Sequence, residues 1–145
     1  TMSQVNADTI RKSDGSLGTD IRVKNTSVYE SDGGTSVTQN LVQGLGKVWN
    51  NLNGTGTIAT RDSFNVSSNV DSGTGVYTTN YTNAMSSASQ SAGGFARVSG
   101  LYGIFGGNAD TTFTTTSFIY STLRYTDNNA TDALIVTFNL CGDLA

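Results

Sequence analysis

Histidine is absent from the 145 residues, which removes the commonest general base and the commonest imidazole metal ligand together. The Ser-His-Asp and Cys-His arrangements of nucleophilic catalysis cannot be assembled. Cys141 is the single cysteine, so the ordinary Cys/His zinc sites are excluded as well. Ten Asp and Glu30 remain, and two carboxylates at the right separation suffice to hydrolyse a glycosidic bond. Each Asp, however, stands in a turn or beside Gly, Ser, Asn or Thr, where capping or turn formation explains it. The sequence therefore predicts no catalytic residue.

Metal sites fare no better. Asp71 to Gly75 and Asp127 to Asp132 place carboxylate and carbonyl oxygens in short loops, but neither has the spaced ligands and terminal Glu of an EF-hand. Both read as turns, and no metal or cofactor is expected.

Aromatic faces beside amides are the remaining chemical resource, since a ring stacks on sugar while an amide hydrogen-bonds it. Tyr102 with the Asn108 and Asp110 turn, and Tyr125 with Asn128 and Asn129, are the candidate receptor-binding residues. The competing reading makes both tyrosines half-buried strand residues with wet hydroxyls. Trp49, next to Val48, is expected in the core or at an interface.

Composition narrows the partners. Eight basic residues and a net charge of −3 give no concentrated cationic surface, so nucleic acid is not an expected partner. No run approaches the roughly 20 apolar residues of a membrane-crossing helix, and Thr1 to Gln4 lacks the basic start and apolar run of a secretory signal. The lone Cys141 reads as a small buried hydrophobe and fits synthesis in a reducing cytoplasm.

The elements that must position these residues are mostly strands. Only 13% of the residues are charged, leaving Thr, Ser and Asn to cover the surface, a composition suited to the pleated backbone. Thirteen aromatics argue for a packed domain over disorder. Phe64 and Val66 alternate with Asn65 and Ser67, residues 76–81 are rich in strand formers, and Asp71 to Gly75 lies between as a turn. Gly54 and Gly56 mark another turn, residues 84–94 read as a loop or irregular edge, and strands follow at 95–99, 101–105 and 113–125. In the last strand Leu134, Val136, Phe138 and Leu140 share one face.

Val37, Leu41, Leu45 and Val48 are spaced by four, four and three, which fits a short helix over 36–47 with one apolar face. Gly44 and Gly46 each weaken it by about 1 kcal/mol, so it needs packing against the chain's own sandwich or in a three-helix seam. These four are the candidate oligomerisation residues. The expected fold is all-β. A β-sandwich or jelly-roll-like domain over 47–145 follows a short β-rich N-terminal segment, 1–46.

Two segments carry a family resemblance. Val5-Asn6-Ala7-Asp8-Thr9-Ile10 before a Ser-Asp-Gly turn, and Trp49 to Met85 with its Asn53-Gly54-Thr55-Gly56 and Phe64-Asn65-Val66, resemble bacteriophage tail-fibre-type structural proteins, especially short fibres of marine phages. The resemblance covers less than a third of the chain. It implies a β-rich homotrimer made in the bacterial cytoplasm and carried on the virion, on the tail before the capsid. It also implies that 1–46 is an attachment or stem portion in contact with other virion proteins, and that the sandwich meets a host surface glycan or protein. A capsid decoration or head fibre is the alternative, and a small polysaccharide-degrading tail enzyme a third.

Overall fold

Residues 28–30, 38–98, 100–106 and 112–145 are described by the computed structural model, and every regular element within them is a strand. Val28–Glu30 (β1) pairs antiparallel with Thr38–Asn40 (β2). The other nine are Val48–Asn53 (β3), Ala59–Phe64 (β4), Val66–Gly73 (β5), Val76–Tyr81 (β6), Ser91–Val98 (β7), Leu101–Phe105 (β8), Thr112–Phe113 (β9), Ser117–Arg124 (β10) and Ile135–Cys141 (β11). They form one antiparallel sheet in the order β4-β3-β11-β7-β8-β10-β6-β5, with β9 beside β10. The sheet is nearly closed into a barrel-like shape. The fold is all-β.

Period-two alternation builds the core. Val48, Asn50 and Leu52 in β3, Tyr77, Thr79 and Tyr81 in β6, and Val136, Phe138 and Leu140 in β11 all point inward and are buried. In β10 the alternation stops: Tyr120, Ser121, Thr122 and Leu123 are buried in succession. The cause is a change of partner, because Ser117 to Ser121 pairs with β6 while Thr122 to Arg124 pairs with β8. A strand that turns a corner between two walls is covered on both faces there.

Facing walls meet through aromatic rings. Tyr120 lies edge-on to Phe138 with centroids 5.0 Å apart, and Phe105 stacks on Phe138 at 5.7 Å. Within one wall, Phe118 on β10 stacks on its cross-strand partner Phe113 on β9 at 4.5 Å. Such pairs add about 0.5–1.5 kcal/mol each beyond the apolar area they remove from water. Leu134, expected on the core face with Val136, precedes β11 and is 37% exposed.

Asn65 joins the two ends of the sheet. Its φ of 58° lies in the left-handed region that Asn tolerates better than most residues. Its side-chain amide donates to the carbonyls of Lys47 and Asn83, and its Oδ1 accepts from the Asn83 N–H at 2.7 Å. The expected alternation through Phe64 and Val66 therefore breaks at Asn65, leaving Phe64 54% exposed and Val66 packed against the core.

The helix expected over 36–47 is corrected within the described residues. Thr38–Asn40 is strand, and a single turn follows, with Gly44 N–H to the Asn40 carbonyl at 3.2 Å and Gln43 N–H to Asn40 Oδ1 at 2.9 Å. The turn does not propagate, because Lys47 N–H is already committed to the Leu140 carbonyl at 2.8 Å in the sheet. Gly44 and Gly46 oppose helix growth in addition. The buried Lys47 ammonium donates instead to the carbonyls of Val42 and Leu45, holding the turn closed. A second correction concerns residues 84–94: β7 begins at Ser91, so four of them are strand.

Candidate functional site

The inward set on β3 dictates what its other face carries. With Val48, Asn50 and Leu52 turned in, Trp49 must turn out, and it is 38% exposed. Strand register then puts Trp49, Asn139 and Gly93 in one line across β3, β11 and β7, and Asn51, Thr137 and Phe95 in the next. Phe95 is 52% exposed. Of the two placements expected of Trp49, core or interface, the core is overturned, since the ring lies on the outer face. Its alternation with Val48 and Leu52 is the signal for that outward position.

Between Trp49 and Phe95 lies a groove of about 440 Å³ lined also by Gly93, Gly94, Thr137 and Asn139. Gly93 supplies its width, because it projects no side chain beside Asn139. A Cβ there would lie 3.3 Å from Asn139 Oδ1. Gly94 faces the other way, and a Cβ on it would lie 2.5 Å from the Phe105 ring, so its lack of a side chain lets that ring pack beneath the groove. With strands about 4.8 Å apart and a rise of about 3.4 Å per residue, the backbone positions of Trp49 and Phe95 are roughly 12 Å apart on the diagonal. No ionisable side chain lines this groove.

The receptor-binding candidates read from sequence lie elsewhere. Tyr125, Asn128 and Asn129 come together in one tight turn after β10, with Tyr125 70% exposed. Asn128 has φ 57° and donates its N–H to the Arg124 carbonyl at 2.9 Å. The Asn129 N–H, at 3.2 Å from Asp127 Oδ1, is the main cause holding that carboxyl below its ordinary range, with the Arg124 guanidinium 3.0 Å away adding to it. The backbone of this turn is held by its own bonds, while the side-chain amide of Asn128 has no hydrogen-bond partner among the described residues. Tyr102 belongs to β8, its side chain outside the described set, and Asn108 and Asp110 lie outside the described residues.

The oligomerisation candidates separate too. Val48 is fully buried in the chain's own core and cannot meet a neighbour, Leu41 is half-buried, and Val37 lies outside the described residues. Leu45, 56% exposed, lines an apolar hollow of about 230 Å³ with Val42, Phe64 and Leu144. Among the described residues no group of three or more Cys, Asp or Glu could hold a metal ion, and no helix is long and apolar enough to cross a membrane.

Compared with known protein families, curated proteins and solved structures, the chain matches none of them.

Proposed function

We propose that the chain is a non-enzymatic structural part of a phage particle, a short tail fibre or fibre tip that touches the host surface. One observation carries this reading: the outer face of β3, β11 and β7 presents two large aromatic rings around an uncharged groove. Core packing does not require either ring there. Aromatic residues are enriched where one protein meets a partner, because they bring large contact area at low entropic cost.

The Trp49 to Met85 stretch that resembles fibre proteins builds β3 to β6 and one wall of this groove. Three copies on one axis would convert weak contacts into firm attachment by effective concentration. The exposed apolar hollow around Leu45, Phe64 and Leu144 supports contact between copies.

Antibodies against the chain, applied to intact particles, are expected to label the tail. Labelling of the shell would replace the fibre with a capsid decoration, and no labelling would remove the chain from the particle. Light scattering is expected to give three times the 15.2 kDa chain mass.

A further inference from the structure

We infer that the groove between Trp49 and Phe95 binds a neutral pyranose sugar, an inference that rests on the host-contact reading and names its ligand. A pyranose presents an apolar C–H face and a rim of hydroxyls. The groove presents the matching pair of surfaces.

Trp49 and Phe95 supply ring faces 38% and 52% open to solvent. Between them, the Asn139 amide and the Thr137 hydroxyl have no intramolecular hydrogen-bond partner among the described residues. An amide offers donors and an acceptor, and a hydroxyl offers both, so together they can serve adjacent sugar hydroxyls whichever way each proton points. The missing side chain of Gly93 leaves the floor open between the rings.

Charge selects within the class. No Asp, Glu, Lys or Arg lines the groove, so a uronic or sialic acid would give up hydration of its carboxylate with no cation to replace it. A neutral hexose loses far less. The roughly 12 Å span between the ring-bearing positions leaves room for a second sugar unit along the strands. Binding to one unit should be weak, since the groove is open and shallow, and firm attachment would come from repetition of the site.

Trp49 is the only tryptophan in the chain, so its fluorescence reports on this groove alone. The intact protein is titrated with the methyl pyranosides of glucose, galactose and mannose, with glucuronate, and with a proline-rich peptide, the last because extended proline helices also dock on aromatic grooves. A saturable change with at least one neutral pyranoside is expected, and none with glucuronate. Phe95→Ala, Asn139→Ala and Gly93→Leu should each raise the dissociation constant about tenfold, with the circular dichroism spectrum and unfolding midpoint unchanged. Trp49→Ala, followed by saturation-transfer NMR of the sugar, should abolish binding.

No response to any neutral pyranoside, a response to glucuronate or the peptide alone, or binding unaffected by all three groove substitutions would overturn the inference. The two readings fail separately. A trimer found on phage tails that takes no pyranoside overturns the ligand and keeps the fibre, whereas a monomer absent from particles that binds the sugar through Trp49 supports the ligand and sinks the fibre.

Discussion

The side-chain amide of Asn50 donates to Oδ1 of Asn69 at 2.7 Å, linking a strand near one end of the sheet to the strand at its other end. Thr79 joins them, receiving a second Asn50 bond at 3.1 Å and donating to Asn69 Oδ1 at 2.6 Å. Asn69 also donates to Thr60 on β4 at 2.7 Å. Backbone ladders do not close this side of the barrel-like sheet; a chain of amides and hydroxyls does.

Removing one link should therefore loosen the closure. Asn50 is fully buried, and Asn50→Ala is expected to lower stability by about 2 kcal/mol through lost bonds and an unfilled space. Because Asn50 Oδ1 finds no partner of its own, the effect should stay below that of a fully satisfied buried amide. Urea unfolding of Asn50→Ala, Asn69→Ala and the double variant should give a coupling of about 1 kcal/mol. Strict additivity would show that the two amides do not act together.

Gly94 and Phe105 occupy the same space from opposite strands. Gly94→Ala would bring a Cβ within 2.5 Å of a ring already stacked on Phe138, so the ring cannot yield without disturbing the core. A loss of about 1–3 kcal/mol is expected. Adding Phe105→Leu should recover part of it in thermal unfolding, although Phe105→Leu alone destabilises.

Two glycines with nearly equal backbone angles should respond differently to substitution. Gly75 has φ +66° and Gly56 has φ +64°, but a Cβ on Gly75 would lie 2.5 Å from the Thr131 nitrogen and 2.6 Å from the Thr122 oxygen, whereas one on Gly56 would meet nothing within 4 Å. Gly56→Ala should cost about 1–2 kcal/mol from conformation alone. Gly75→Ala should cost about 3 kcal/mol or more, or prevent folding. Equal unfolding midpoints would contradict the close approach.

Alkali should unfold the domain through its tyrosines. Burial raises the phenols of Tyr77, Tyr81 and Tyr120 above the ordinary value of 10.0, with the nearby Asp132 carboxylate contributing at Tyr77. The folded state then holds phenolic protons that the unfolded chain releases. Their contribution is fully present below pH 10 and declines above it, by about 1.4 kcal/mol per pH unit for each such group. Phenolate absorbance of the buried set should rise together with loss of the circular dichroism signal. Ionisation of all six tyrosines while the sheet remains intact would refute this.

Alternation made much of the fold legible. Val136, Phe138 and Leu140 are buried on one face as their spacing predicts, whereas of the turn read over residues 71–75 only Thr74 and Gly75 lie between the strands, because β5 runs on to Gly73. Failures arose where a local pattern had two solutions. A spacing of four at Leu41 and Leu45 suits a helix, but a distant carbonyl on Leu140 claims the Lys47 N–H, and no local reading reveals that bond. Gly93 and Gly94 looked like loop because their place in β7 depends on Phe105 and β11. The groove was half-legible. Trp49's outward position follows from its neighbours, whereas its alignment with Asn139 and Phe95 requires a register between strands far apart in sequence.

The Asn65 corner has a consequence for how the free edges of the sheet meet other chains. Strands at the rim of an open sheet expose unpaired N–H and C=O groups that invite another chain to add on, the first step toward fibrils. Here β4 ends and β5 begins on either side of Asn65, so the two rims are tethered to each other, and further along Asn69 on β5 donates to Thr60 on β4 at 2.7 Å. The corner thereby limits how far either rim can swing open to accept another chain.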